Sequence, residues 1–200
     1  MHFTSRLAWL AAVVLFCGCN RGDRTETQTT ADTTQRQDTA AQPVVIGEPQ
    51  ILHILRTANS IESELGDMAA TRAIDAGVRM YAQTVAADHR ALNQVVDTVA
   101  RAVNIIPAEN PISMQMRARS DTVRANLSAR AGGDFDRAYI TEEAQFHQWL
   151  LDRIDRDLMR RTQRPEILQL IDRLRPALAA HLQMAREIQN RFAATTTDSR

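Results

Sequence analysis

The chain predicts an all-α fold, an antiparallel four-helix bundle with a short extra helix, and three observations carry that reading. Apolar residues recur at steps of three and four from Gln50 almost to the C-terminus. No stretch alternates apolar and polar residues as a half-buried strand would. Proline, or a glycine pair, interrupts the stripes where a bundle needs its turns.

The first stripe is Ile51, Ile54, Ala58, Ile61, Leu65 and Met68, one buried face of a helix. The second runs Val78, Tyr81, Val85, His89, Leu92, Val96, Val99 and Val103. Asn104–Pro111 breaks it, with Pro107 and Asn110-Pro111 as turn signals. Ile112–Arg130 is a weaker helix carrying Met116, Val123 and Leu127. Gly132-Gly133 ends it, and Asp134 is placed to N-cap the next helix. That helix shows Phe135, Tyr139, Glu143, Phe146, Leu150, Ile154 and Leu158. The last begins near Pro165-Glu166, a proline and an acid suited to a helix start. It carries Ile167, Leu170, Leu174, Leu178, His181, Ala185, Ile188 and Phe192. Pro176 inside it lacks the amide that would bond to Asp172, so a kink or restart is expected there.

The N-terminus reads as an export address. Arg6, the apolar run Leu7–Phe16 and the tail Cys17-Gly18-Cys19 have the layout of a secretory signal too short to span a bilayer. The tail resembles a bacterial lipobox, with Cys19 acylated after cleavage at Gly18, although Phe16 departs from the usual leucine. Each buried methylene contributes roughly 0.8 kcal/mol, so several acyl chains anchor firmly where one does not. Asn20 after the cysteine is compatible with sorting to the outer membrane, facing the periplasm. An ordinary cleaved signal, releasing a periplasmic protein, is the alternative. The expected organisation is a signal at 1–18, a disordered Thr/Gln-rich tether at 19–47, a helical bundle at 48–194 and a disordered tail at 195–200. Within the tether, Asn20–Pro43 has almost no large apolar residue with which to offset its ordering entropy, and Val44–Gly47 is a short lead-in.

Composition excludes several chemistries. Cys17 and Cys19 are the only cysteines, so the rest of the chain offers no thiolate ligand or nucleophile and no disulfide. All 24 basic residues are Arg, which removes Schiff-base and phosphate-loop lysines. The 24 acidic residues balance and intersperse them, and aromatics are few, so nucleic acid is not an expected partner. No Ser-His-Asp order and no glycine-rich phosphate loop is present.

The informative residues are polar intruders on apolar seams. His89, His147 and His181 each fall on or beside the seam of a different helix. Glu143 lies four residues before His147, so both side chains share one face. Glu62 sits at the edge of the first seam, and Asp88 flanks His89. Glu62, His89, Glu143, His147 and His181 could therefore converge from four helices, as in metal sites of bundles. The competing reading is of separate core histidines, each needing a partner such as Asp88 or Glu143, because an unpaired buried group costs roughly 1–3 kcal/mol. The di-iron pattern of paired Glu-x-x-His motifs is absent: Ala86, Ala144 and Leu178 stand three before the three histidines. Three His with a carboxylate suit zinc or copper better. Asp136 reads as a first-turn acid, Met114 and Met116 as packing, and Arg153–Arg164 as a solvated face.

The same residues carry a resemblance. Glu62-Ser63-Glu64-Leu65-Gly66, Tyr81-Ala82 with Asp88-His89, Phe135-Asp136-Arg137-Ala138-Tyr139 with His147, and Leu174-x-Pro176-x-Leu178-x-x-His181 resemble the ferritin-like envelope proteins of the domain-of-unknown-function 4142 family. The similarity runs from about Ile51 to Ile188. It implies a ferritin-like helical bundle and an envelope location, and no established activity. Gln145-Phe146 departs from the family's usual pattern before the third-helix histidine.

With no complete catalytic set, the leading expectation is a non-enzymatic envelope lipoprotein, held to the membrane at Cys19, that binds an envelope protein partner or serves stress tolerance. The alternatives are a metal-binding or redox protein whose core holds a divalent metal, and a histidine-based pH switch.

Overall fold

The computed structural model describes residues 46–198, with side chains to residue 195. The expected signal, Cys19 and nearly all of the tether lie outside the described residues. Five α-helices follow one another: α1 (Glu48–Arg72), α2 (Ala76–Ala102), α3 (Pro111–Ser128), α4 (Gly132–Arg153) and α5 (Pro165–Asp198). The described residues contain no strand, and none of their helices is long and apolar enough to cross a membrane.

Each helix begins and ends for a local reason. Asp75 caps α2, its carboxylate accepting from the Val78 amide at 2.9 Å. Asn110 caps α3 through the amides of Ile112 and Ser113, while the Ser113 hydroxyl receives the Asn110 amide in return. Pro111 follows at the first helical position, where its missing N–H costs nothing. Pro49 and Pro165 stand at the starts of α1 and α5 in the same way. Glu48 ties those two starts together, accepting from Arg164 Nε at 2.8 Å and Thr162 Oγ1 at 3.1 Å.

Three local expectations need correction. Asp134 does not cap α4: the helix already begins at Gly132, and the Asp134 carboxylate is held by Arg137 at 2.5 Å. Of the kink or restart expected at Pro176, the restart does not occur: α5 is one helix from Pro165 to Asp198, past the boundary expected at 194. Leu174 and Leu178, either side of the proline, are both buried against the core, so packing holds the helix through its missing bond. After Arg153 the chain makes a π turn (Ile154–Leu158) and a 3-10 turn (Met159–Arg161), which periodicity does not reveal.

The apolar stripes meet in one core in which Ile51, Leu52, Ile54, Val85, Phe135, Tyr139, Ile154, Ile167 and Ile171 are fully buried. α1 packs along α2, α4 along α5, and α2 against α5, while α3 lies mainly on α1. Gly66 allows the close approach of α1 and α2: a Cβ there would stand 2.9 Å from the Ala82 carbonyl oxygen. Asp136 ties α4 to the α1–α2 turn. Its buried carboxylate accepts from the Asp75 amide at 2.7 Å and the Ile74 amide at 3.2 Å. The arginines of 153–164 make surface pairs, among them Arg153–Asp157 and Arg156–Asp152.

Candidate metal centre

The polar intruders meet inside this core. α1 supplies Asn59 and Glu62, α2 supplies Tyr81, Asp88 and His89, α4 supplies Glu143 and His147, and α5 supplies His181. The three histidines and both glutamates are buried. Ring centroids lie 5.5 Å apart for His89–His147, 5.2 Å for His89–His181 and 5.3 Å for His147–His181. One nitrogen from each ring lies within 4.8 Å of the other two.

Each ring is fixed by an acceptor on its outer nitrogen. His89 Nδ1 donates to Asn59 Oδ1 at 2.9 Å. His147 Nδ1 donates to the Glu143 main-chain carbonyl at 2.9 Å, a bond the four-residue spacing on α4 makes available. His181 Nε2 donates to Asp88 Oδ2 at 2.9 Å. Asp88 thus serves the histidine across the core on α5, not its neighbour His89. A neutral imidazole has one N–H, so each of these bonds leaves a lone pair on the other nitrogen. His89 Nε2 and His147 Nε2 face each other at 3.3 Å, and His181 Nδ1 is buried with no hydrogen-bond partner.

Burial sets the electrostatics. It pushes His89 well below the ordinary imidazole value and His147 down to about 3, with the neighbouring imidazoles adding to the effect. Both rings are therefore neutral, the state in which imidazole ligates a metal. Two nitrogens bound tetrahedrally at zinc distances of 2.0–2.1 Å would stand about 3.3–3.4 Å apart. The His89–His147 separation already has that value.

The glutamates form a second group behind His147. Glu62 Oε2 and Glu143 Oε2 lie 3.7 and 3.6 Å from His147 Nδ1, the nitrogen facing away from His89. Glu143 also accepts from the Tyr81 hydroxyl at 3.1 Å. Burial raises Glu143 to about 7, contact with Glu62 and Tyr81 offsetting part of the rise, and burial together with the Glu143 charge raises Glu62 well above the ordinary range. The five residues expected in one site are thus brought together as two adjoining groups, three imidazoles and a carboxyl pair, with His147 common to both.

Asn59 is the one supporting residue with no expectation attached, although a polar residue beside Ala58 and one turn before Glu62 is a usable signal. Tyr81 stands in the sequence as part of the apolar stripe and of the family motif, with no sign of its bond to Glu143. His53 lies outside the site, beside the Thr57 hydroxyl at 3.4 Å.

No curated protein and no solved structure matches the chain. The profile of the domain of unknown function DUF4142 matches residues 31–188, which span every residue of the two groups. The chain belongs to the DUF4142 family.

Proposed function

We propose that this protein is a metal-binding helical bundle of the cell envelope, with His89, His147 and His181 as the protein ligands of one divalent transition-metal ion. One observation carries the reading: His89 Nε2 and His147 Nε2 face each other at 3.3 Å while an oxygen acceptor occupies the other nitrogen of each ring. With both outer nitrogens donating, no hydrogen lies between them, and two lone pairs at that distance repel unless a cation lies between. A proton would serve, but burial opposes an imidazolium at either ring. A metal ion satisfies both nitrogens, and the unpartnered His181 Nδ1 as well.

Three imidazoles with an open fourth position favour zinc or copper over a di-iron centre. The outer acceptors Asn59, the Glu143 carbonyl and Asp88 are the supports that commonly fix metal-ligating histidines. The helix packing, with α3 outside a set formed by α1, α2, α4 and α5, favours a ferritin-like four-helix bundle. The Cys17-Gly18-Cys19 segment supports a lipid anchor at Cys19. Ion binding needs no catalysis, so storage or sensing of metal at the envelope is the role favoured over an enzymatic one.

The test is elemental analysis of untagged protein refolded with Zn, Cu, Mn and Fe and then desalted. One ion per chain, lost in His89→Ala and His147→Ala, is expected. A metal-free product from all four would overturn the reading. Loss of labelled palmitate incorporation in Cys19→Ala checks the anchor separately.

A further inference from the structure

The three imidazoles are buried, so an ion must have a way in, and on the α3–α4 side of the molecule a void reaches inward to the carboxyls beside them. A cavity of about 380 Å³ opens between these helices, lined by Gln115, Met116, Arg119, Gln145, Phe146 and Trp149. Beneath it lies a void of about 20 Å³, which shares Met116, Arg119 and Phe146 with the cavity and reaches inward to Glu62 and Glu143. That is room for about one water. α3 touches α4 at few points. The pair across the entrance is Arg119–Glu142 at 2.8 Å, with the arginine half exposed. At the inner end Glu62 Oε2 is buried without a hydrogen-bond partner, and it stands 3.7 Å from His147 Nδ1. The void is therefore walled by Phe146 and Met116 and floored by two carboxyl groups, with an imidazole of the metal site directly behind them.

We infer that the α3–α4 cleft is the entry route for a divalent cation, and that Glu62 and Glu143 are a transit station passing it to His89, His147 and His181. This rests on the metal reading above. A hydrated cation sheds water reluctantly, and two carboxylate oxygens at the end of a one-water void replace part of its shell before the imidazoles complete the exchange. Arg119 guards the mouth. Paired with Glu142 it hinders entry electrostatically, and its displacement opens the way.

Stopped-flow mixing of metal-free protein with Co²⁺ tests the route, because the visible absorption of tetrahedral cobalt reports arrival at the imidazoles. Glu62→Gln/Glu143→Gln keeps shape and removes the anionic oxygens that the two carboxyls present once an arriving cation displaces their protons. It should slow loading about tenfold or more, because an amide oxygen replaces the water a cation sheds less well than a carboxylate does, and leave the final stoichiometry unchanged. Arg119→Ala, a surface change that leaves the fold intact, should load faster. Wild-type rates in both variants would overturn the route. A lower final stoichiometry in the double variant would make the glutamates ligands, and overturn the transit role. Wild-type protein that takes up no cobalt would instead refute the metal site itself, and the route with it.

Discussion

His181 on α5 and Asp88 on α2 are joined at 2.9 Å, and the pair spans the core from a fully buried ring to a carboxylate whose side chain is 49% exposed. The other two imidazoles are held from inside, by Asn59 and by the Glu143 carbonyl. This difference makes Asp88 the one support that can be altered without opening the core.

Asp88→Asn should therefore weaken metal binding and spare the fold. Loss of a carboxylate behind a ligating histidine typically costs 10–100-fold in affinity. Competition titration with a chromophoric chelator measures it, and thermal unfolding of the metal-free variant should match wild type within about 0.5 kcal/mol, as for other surface changes. Unchanged affinity would mean that His181 needs no orienting partner.

The pH dependence of the metal-free protein follows from opposing shifts. His89 and His147 are depressed, so below about 6.5 the unfolded chain binds protons there that the folded one refuses. Their contribution is present above that pH and is lost as pH falls toward 3. Glu62 and Glu143 are raised, so the folded chain holds protons that the unfolded one releases above about 4.5. Their contribution is full below that pH and is lost as pH rises through about 7. Between roughly 4.5 and 6.5 the two pairs offset each other, and urea unfolding should show little change in stability. Removing the carboxyls with Glu62→Gln/Glu143→Gln leaves the rings unopposed. Stability should then fall with acid by up to about 2.7 kcal/mol per pH unit for two protons. A flat profile in that variant would contradict the neutral assignment of the rings. The offset also argues against a pH switch in the wild-type chain.

Gly66→Ala should destabilise, although alanine in a helix is ordinarily favoured over glycine by about 1 kcal/mol. The added methyl would meet backbone, 2.9 Å from the Ala82 oxygen and 3.0 Å from the Ala86 nitrogen, which cannot step aside as a side-chain end can. Overpacking of this kind costs about 1–3 kcal/mol, so the net sign is unfavourable. Chemical denaturation reads it, and a stabilised variant would show that the two helices separate freely.

Asp136→Ala should cost about 1–3 kcal/mol by orphaning the amides of Ile74 and Asp75. Hydrogen exchange at those two amides should rise with it. Unchanged exchange would mean that water replaces the carboxylate without loss.

The sequence displayed what repeats and concealed what is particular. Apolar spacing located five helices, because a buried face imposes a 3.6-residue period wherever it occurs. The same period placed His89, His147 and His181 inward, since a polar residue on an apolar stripe stands out. It could not say that Asp88 would cross to His181, because which residue meets which across a core depends on helix rotation and offset. It likewise gave Glu62 and Glu143 as companions of all three histidines, whereas they gather behind His147 alone. Asp134 and Asp136 show the same limit. Asp134 lies in the first turn of α4 and meets Arg137 on the surface, whereas Asp136, expected there too, sits beyond that turn and fastens a distant one.

Because one of the three rings is steered from the rim, ions in the surrounding fluid can tug on it while the other two stay deaf to them. Salt or a competing cation at Asp88 would loosen α5's hold on a bound ion first. Release of a held ion would then begin with one departing hand, leaving two still gripping, and external chemistry would set how long the last stage takes.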